Sequence, residues 1–379
     1  MQQIIVLGAG YGGLMTALQL EEKVRNLKDV NIILVDRNDF HQYIHLSYEI
    51  VTGVKKADDF IVPISELLEK RKIQFLQATV GGIDLVHKTV QISGGDLWYT
   101  KLVIALGSEP TFYNIKGVEN AYCVCSVESA VKIKDKLNEL GGPDKNVKVI
   151  VGGGGFTGVE LAGEIADELK CCVTIIEGSN MLLPTWGIPE FSSKVTQVLE
   201  DMGAKIELNK RISEIKPNAV VLNDGTQMDC SIFIWTGGVQ ASRVVSESGL
   251  KTDKGKRAVI NEYCEAVDFP GVYVIGDCAL VVDPETNEIL PQCIEIALQQ
   301  ADSVSKNLIA DLTDGKREIF IPKFSGLILA VGERYGIGKV AGVKVEGKLA
   351  LMVKKVIHLH YVYKIAGITE ALECGMLKS

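Results

Sequence analysis

Residues 3–13 read QIIVLGAGYGG, a short apolar run that ends in closely spaced glycines. The run Gln3–Leu7 is typical of a parallel strand buried on both faces, and Leu14–Leu20 contains helix-forming residues. Residues 31–36, NIILVD, are a second apolar run, which ends in an acid. Strand, glycine turn, helix, strand and acid in this order predict a βαβ unit that binds a dinucleotide.

Each glycine of this turn has a separate physical task. Gly8 permits the tight turn, Gly10 lets the backbone approach a pyrophosphate, and Gly13 lets the helix pack closely on the strand. The helix N-terminus adds partial positive charge and N–H groups that bind anions. Asp36, at the end of the second strand, would accept hydrogen bonds from a ribose.

The same pattern recurs in the middle of the chain. Residues 147–151 (VKVIV) are followed by GGGFTG at 153–158. Gly153, Gly155 and Gly158 correspond to Gly8, Gly10 and Gly13 of the first turn. The next strand ends in an acid, Glu177. Two such units are far rarer by chance than one, so the sequence predicts two dinucleotide sites. An acid at the strand end favours NADH over NADPH.

Composition narrows the functional classes. The 379 residues exceed what one core usually serves, which predicts two or three domains. The net charge of −8 offers no general attraction for nucleic acid, so a DNA- or RNA-binding role is not expected. Nine irregularly spaced cysteines without a CxxC motif favour a reducing compartment and give no indication of a metal site.

The C-terminal region has a different charge. Residues 339–379 hold seven lysines against three glutamates, a charge of +4. Residues 349–364 fit an amphipathic helix, which could lie on an anionic membrane or pack on the core. Its apolar side is expected to hold Leu349, Met352, Val353, Val356, Ile357, His360 and Tyr361, and its opposite side Lys354, Lys355 and His358.

Three more stretches complete a recognisable set: ALGSEP at 105–110, WTGGV at 235–239 and VIGDCAL at 274–280. Together with the glycine motifs, they make nearly the whole chain resemble the two-dinucleotide-binding flavoproteins. The closest resemblance is to type II NADH dehydrogenases, single-subunit NADH:quinone oxidoreductases that pump no protons.

This resemblance implies an α/β fold with two Rossmann-like, glutathione-reductase-like domains. An FAD domain would comprise residues 1–112 and 243–322, and an inserted NADH domain residues 113–242. Residues 323–379 would form a C-terminal region that faces the membrane. The cofactors would be FAD and NADH, and the electron acceptor a quinone.

The resemblance also assigns residues. FAD would be bound by Gly8, Gly10, Gly13, Asp36, Arg37, Gly107 and Asp277. NADH would be bound by Gly153, Gly155, Gly158 and Glu177, with Glu160 and Gly238 near the nicotinamide. The quinone would contact Glu295, Gln299, Lys354 and Ile357. Catalytic roles would fall to Glu160, Glu295 and Lys354.

Glu295 departs from the family pattern. That pattern is Ala-Gln-x-Ala-x-Gln, and residues 294–299 read IEIALQ, so a glutamate replaces a glutamine. The carboxylate could relay protons to a quinone if burial raises its pKa, or it could lie on a helix surface. By the same resemblance, the protein would attach peripherally to the cytoplasmic face of the cell membrane, and a homodimer is an expectation.

Two alternatives remain open from the sequence. A sulfide:quinone oxidoreductase would use three cysteines, of which only Cys125 has a match. The other alternative is a nucleotide-binding, redox-sensing flavoprotein without rapid turnover. In the NADH dehydrogenase interpretation, Cys123 and Cys125 are buried thiols near a domain junction, and Cys171 and Cys172 have no assigned role.

Overall fold

The computed structural model describes residues 1–25, 27–141 and 147–376, with side chains up to residue 367 in the last helix. The α-helices are α1 (Tyr11–Val24), α2 (Tyr48–Val51), α3 (Ile64–Leu68), α4 (Val127–Glu139), α5 (Phe156–Glu164), α6 (Pro189–Asp201), α7 (Arg243–Glu247), α8 (Ile294–Leu312) and α9 (Lys348–Met376). Helix α5 continues as a π turn over Ile165–Leu169.

The strands in the first part of the chain are β1 (Gln2–Leu7), β2 (Val30–Asp36), β3 (Phe40–Gln42), β4 (Ile61–Pro63), β5 (Gln74–Gln77), β6 (Val80–Asp84), β7 (Thr89–Ile92), β8 (Gly95–Trp98), β9 (Lys101–Ile104), β10 (Ser108–Pro110), β11 (Tyr122–Cys123), β12 (Lys148–Gly152) and β13 (Cys172–Ile176). The remaining strands are β14 (Lys205–Glu207), β15 (Ile212–Lys216), β16 (Ala219–Leu222), β17 (Gln227–Asp229), β18 (Ile232–Trp235), β19 (Val239–Ala241), β20 (Ala258–Val259), β21 (Val272–Val274), β22 (Ala279–Leu280), β23 (Gly326–Val331), β24 (Tyr335–Val340) and β25 (Val343–Glu346).

The chain forms two compact units. The first unit comprises Met1–His41, Val62–Glu109 and Val239–Phe324. The second comprises Gln42–Ile61, Pro110–Gly238 and Ser325–Ser379. Residues 42–61 were expected in the FAD domain, but they belong to the second unit. They do so because α2 packs on α4 and α5. The tail also joins this unit, since β23 packs on α5 and α9 packs on β24.

The first unit is built on a parallel sheet of order β21-β9-β1-β2-β5. Its central strand, β1, has fully buried apolar residues from Ile4 to Leu7, as expected for a strand covered on both faces. All its neighbours run parallel, so the carboxyl ends of β1, β2, β9 and β21 meet at one edge. Ligands of open α/β sheets bind at this edge.

The second unit repeats this architecture with a parallel sheet of order β11-β18-β12-β13-β14. Strands β12, β13 and β18 end together, with Gly152 opposite both Ile176 and Trp235. Two three-stranded antiparallel sheets, β15-β16-β17 and β23-β24-β25, complete the unit. The predicted α/β fold with two Rossmann-like sheets is confirmed.

The C-terminal helix follows the predicted division into two sides only in part. Lys355 is exposed and Tyr361 of the apolar set is buried. By contrast, Lys354 is half-buried and His358 is buried, whereas Met352 and Val356 are 64% and 63% exposed. The lysine can face inward because a buried carboxylate, Glu160, neutralises it. Within the part of the chain that the structure describes, no helix is long and apolar enough to cross a membrane.

Candidate functional site

The first glycine turn forms a narrow cradle at the end of β1. Gly8 has φ +96°, and a Cβ on Gly13 would lie 1.9 Å from the Gly8 carbonyl oxygen, so only glycine fits there. A Cβ on Gly10 would meet no atom within 4 Å, which shows open space before the helix. Helix α1 has neither a side-chain cap nor an acid in its first turn, so its N-terminus can bind an anion.

Asp36 fastens this cradle. Its carboxylate accepts hydrogen bonds from the backbone N–H of Ala9 at 2.6 Å and of Asn38 at 2.8 Å. Burial raises the pKa of Asp36, although these hydrogen bonds oppose the shift. The acid therefore orders the glycine turn itself, a task that its expected contact with ribose did not suggest.

His41 holds the same turn from the other side, and the sequence analysis missed it. Its Nδ1 lies 2.8 Å from the Ala9 carbonyl oxygen and, as that oxygen only accepts, Nδ1 carries the proton. Burial lowers the pKa of His41 to about 4, so the ring is neutral at pH 7. No motif or spacing in the sequence marks this histidine.

The other predicted FAD residues lie in the same unit. Arg37 is exposed beside Asp36. Gly107 follows β9 with φ +70°, and its carbonyl accepts hydrogen bonds from Ser242 N at 3.1 Å and from the Cys278 thiol at 3.2 Å.

Asp277 follows β21 at the carboxyl edge of the first sheet. It accepts a hydrogen bond from the Ser108 hydroxyl at 2.7 Å. Burial raises the pKa of Asp277, although Ser108 and the charge of Arg257 oppose the shift. The polar side chain is thus half-buried at the sheet edge where the first glycine turn also begins, and a cofactor hydroxyl could reach it there.

The second glycine turn reproduces the first. Gly155 precedes α5 with φ −74° and ψ −171°, close to the −71° and −169° of Gly10 before α1. A Cβ on Gly158 would lie 2.0 Å from the Gly153 carbonyl oxygen, and one on Gly155 would meet nothing within 4 Å. Helix α5 also lacks a side-chain cap and an acid in its first turn.

Glu177 occupies the position of Asp36 in this second cradle. Its carboxylate accepts hydrogen bonds from Gly154 N and Ser179 N, both at 2.7 Å. Gly238 lies at another glycine turn of the unit, with φ +156°, and a Cβ there would come within 2.4 Å of the Tyr113 hydroxyl. An aromatic ring therefore stands directly against the predicted nicotinamide glycine.

A buried polar cluster lies on α5 beyond this cradle. Glu160 is 9% exposed, forms an ion pair with Lys354 and accepts a hydrogen bond from Ala330 N at 3.2 Å. Lys354 also donates to the Tyr48 hydroxyl at 2.7 Å. Burial and the charge of Glu160 raise the pKa of Tyr48 well above its ordinary value. Two of the predicted catalytic residues are thus in direct contact.

Glu164 lies one helical turn after Glu160, and the sequence analysis missed it as well. It is 5% exposed and accepts a hydrogen bond from the Thr52 hydroxyl at 3.3 Å. Burial, reinforced by nearby carboxylates of which Glu49 is the first, raises its pKa to about 8. Two acids four residues apart in an apolar helical run were the signal available in the sequence.

Three of the predicted quinone residues differ from one another in burial and in contacts. Glu295 is half-buried in the first turn of α8. The Gln299 amide donates to the Lys323 carbonyl at 2.7 Å and accepts from Lys323 N at 2.8 Å, so its side chain already fastens a neighbouring segment. Ile357 is 53% exposed on α9.

Comparisons with known proteins agree with this geometry. The family model for pyridine nucleotide-disulphide oxidoreductases matches residues 2–301. The type II NADH:quinone oxidoreductase of Staphylococcus aureus strain NCTC 8325 is 30% identical over 398 residues, which cover 99% of this chain and 98% of that protein. The chain belongs to the type II NADH:quinone oxidoreductase family.

Solved structures similar to this family member share its fold. NDH2 from Plasmodium falciparum, in complex with NADH, has a TM-score of 0.84 at 18% identity and covers 99% of this chain and 97% of its own. The sulfide:quinone oxidoreductase of Aquifex aeolicus has a TM-score of 0.81 at 20% identity, with 97% and 92% covered. At these identities the likeness concerns the fold alone.

Family membership confirms FAD and NADH as the cofactors. The residues present fit both groups. Each cradle offers an uncapped helix N-terminus, open space in front of the middle glycine and an acid that orders the turn. A dinucleotide pyrophosphate needs these features.

Proposed function

We propose that the chain is an FAD-dependent NADH:quinone oxidoreductase whose first unit holds FAD and whose second unit holds NADH. The observation that carries this assignment is the doubled cradle, which supplies one pyrophosphate site to each unit. When bound, FAD accepts a hydride from NADH and passes two electrons to a quinone.

In the first unit, the protein orients the flavin cofactor. The N–H groups at the start of α1 would bind the pyrophosphate beside Gly10, and Asp36 keeps the turn in place through Ala9. Asp277, held by Ser108, is assigned to the ribityl chain because it is a half-buried acceptor at the same sheet edge.

In the second unit, Glu177 orders the NADH turn, and an acid at this strand end favours a ribose 2′-hydroxyl over a 2′-phosphate. Glu160 is fixed by Lys354 and by Ala330 N, so its carboxylate cannot swing away from the helix. We assign it to the nicotinamide end of the site, together with Gly238. Lys354 can hold a proton between Glu160 and the Tyr48 oxygen.

Glu295, Gln299, Lys354 and Ile357 are the proposed quinone contacts. Glu295 is the one whose role a single change can test. Glu295→Gln restores the residue usual in the family and keeps the side-chain size. We expect unchanged reduction of the flavin by NADH and altered quinone turnover; identical quinone kinetics across the pH range would exclude a proton relay at Glu295.

Attachment to the cytoplasmic face of the cell membrane is proposed through α9. Leu349, Met352 and Val356 form an exposed apolar stripe on this helix. Exposed Lys355 and Lys364 accompany it, and this combination suits an anionic lipid surface. A homodimer remains an expectation, which sedimentation velocity would measure.

Sedimentation with anionic and with neutral lipid vesicles tests the membrane proposal. The double change Met352→Ser with Val356→Ser should release the protein from anionic vesicles. Val343→Ser is the matched control, because Val343 is 63% exposed on β25 of the same unit. Equal binding of the two variants would remove α9 as the docking surface.

Anaerobic rapid mixing tests the reaction itself. NADH should bleach the flavin absorbance quickly, and a soluble quinone should restore it on a catalytic timescale. Bleaching by sulfide but not by NADH would favour the sulfide:quinone alternative. Slow recovery with every quinone would favour a redox-sensing protein.

A further inference from the structure

Two cysteine thiols lie together at the start of α4, and the proposed reaction uses neither. The Sγ atoms of Cys123 and Cys125 are 3.5 Å apart. Both residues are half-buried, so the expectation of buried thiols was wrong. The structure leaves them partly accessible because β11 is an edge strand of its sheet.

The backbone on each side of this pair is fixed. Cys123 lies on β11 opposite Trp235, and the backbone N–H of Cys125 donates to the Ser129 hydroxyl at 3.0 Å. Ser126 caps α4 by accepting from Ser129 N at 3.0 Å. Because only Val124 separates the two cysteines, the thiols cannot move far apart. A disulfide requires the sulfur atoms to approach to about 2.05 Å, a small closure from here.

The surroundings of the two thiols suit different roles. The hydrogen bond to Cys125, followed by burial, raises the pKa of Cys123, so Cys123 keeps its proton. Lys132 interacts electrostatically with Cys125, although it also forms an ion pair with Glu128 at 2.7 Å. The N-terminus of α4 lies immediately after Cys125, and its partial positive charge favours a thiolate.

A cleft of about 710 Å³ opens beside Cys123, and its lining also includes Ser129, Lys132 and Lys136. Cys125 is not part of this lining, but it is half-buried rather than buried. A small oxidant such as a peroxide can therefore approach both residues without a change in the fold.

We propose that Cys123 and Cys125 form a redox-active dithiol, which a peroxide converts into an intramolecular disulfide. The thiolate of Cys125 attacks one peroxide oxygen, the O–O bond breaks and hydroxide leaves, which gives a sulfenic acid. The Cys123 sulfur then attacks the Cys125 sulfur, the S–O bond breaks and water leaves with the thiol proton. The dithiol loses two electrons and two protons, and hydrogen peroxide becomes two waters.

The other described thiols do not share this chemistry. Burial raises the pKa of Cys230 to about 11 and that of Cys278 to about 12, so few of these thiols are ionised at neutral pH. Cys172 is the better control, because it is half-buried and adjacent to another cysteine, Cys171.

Thiol mapping of the reduced holoenzyme tests the proposal. The protein is treated with hydrogen peroxide, blocked with an alkylating reagent in acid, digested and analysed by mass spectrometry. We expect one peptide that contains residues 123–125, lacks two alkyl groups and regains them after treatment with dithiothreitol. Its thiols should disappear at least about tenfold faster than those of Cys172 or Cys230.

Single variants separate the two roles. Cys123→Ser should stop at a sulfenic acid on Cys125, which dimedone traps, whereas Cys125→Ser should leave Cys123 unreacted. Cys172→Ser should behave as the unmodified protein. Flavin content and circular dichroism verify that each variant is folded. If a variant does not fold, the thiol mapping of the unmodified protein tests the proposal on its own.

Full alkylation of both cysteines after peroxide treatment would overturn the proposal. A disulfide formed only with another cysteine, or equally fast oxidation of Cys125→Ser, would do the same. The NADH and quinone reactions do not enter this test, so its failure would leave the proposed function intact.

Discussion

The two glycine turns have the same geometry, but the helices that follow them differ. Both middle glycines precede their helix with nearly equal φ and ψ, and both strand-end acids bind two backbone N–H groups. Helix α1 then runs for 14 residues, whereas α5 has nine before its π turn. The motif therefore determines the cradle, and the rest of the helix determines what surrounds it.

The buried acids on the two helices show this most clearly. On α1, hydrogen bonds from Arg25 and Arg71 outweigh burial and lower the pKa of Glu21. On α5, Thr52 is the hydrogen-bond partner of Glu164, whose pKa burial raises to about 8. The fold therefore favours the ionised form of Glu21 on α1 and the protonated form of Glu164 on α5.

The largest effect is expected from the glycines that have no room for a side chain. Gly13→Ala and Gly158→Ala place a Cβ about 2 Å from a carbonyl oxygen, so each should destabilise its own unit by about 3 kcal/mol or more. Limited proteolysis with mass spectrometry would locate the damage. Gly10→Ala and Gly155→Ala are the steric controls, since a Cβ on either glycine meets nothing within 4 Å and both have a negative φ. Faster proteolysis of the second unit in Gly13→Ala, or of the first unit in Gly158→Ala, would contradict the comparison of the two turns.

The next effect concerns the pH dependence of stability. Glu164 has a raised pKa in the fold, so its contribution is complete at low pH and is lost as pH rises from about 4.5 to about 8. Glu164→Gln should remove this loss, on the order of 3–5 kcal/mol at most. Thermal unfolding between pH 5 and 8.5 measures it. A slope that persists in Glu164→Gln would contradict the assignment.

Glu21 should show the opposite sign and a smaller effect. Its pKa is lowered in the fold, so its contribution is present above the unfolded pKa of 4.5 and is lost as pH falls below it. Glu21→Gln should cost about 1–2 kcal/mol at pH 7, since both arginines are partly exposed to solvent. The unfolding series, extended down to pH 3 for Glu21→Gln, gives a direct contrast between the helices.

The smallest effects are expected at the two strand-end acids. Asp36→Asn and Glu177→Gln each replace one acceptor oxygen with a donor that faces a backbone N–H, a loss of about 1–2 kcal/mol. Asp36→Asn should reduce flavin retention, and Glu177→Gln should raise the KM for NADH and narrow the preference over NADPH. Flavin absorbance and steady-state kinetics measure these changes. Loss of flavin in Glu177→Gln alone would reverse the assignment of the units.

The sequence was most informative where local geometry decides the structure. Both cradles follow from glycine spacing and apolar runs, because each is built within about 35 residues and each glycine has one steric task. The strand-end acids were also identified, although their hydrogen bonds to the turns, through Ala9 and Gly154, became visible only in the structure.

Long-range contacts were the part that the sequence could not supply. The pairing of Glu160 with Lys354 joins residues that are distant along the chain, and no local pattern encodes it. The same contact explains why Lys354 faces inward on α9, since periodicity detects an apolar stripe but not a buried acid that attracts a lysine. The hydrogen bonds between Gln299 and the Lys323 backbone are likewise not evident from the motif.

The most direct test of the two-cradle assignment is a pair of flavin measurements on Gly10→Ala and Gly155→Ala. Both added methyl groups point into open space, so both variants should fold. We predict that Gly10→Ala is purified with little FAD, whereas Gly155→Ala keeps its FAD and needs about tenfold more NADH to bleach it. Full FAD and normal bleaching in Gly10→Ala, or loss of FAD in Gly155→Ala, would contradict the account.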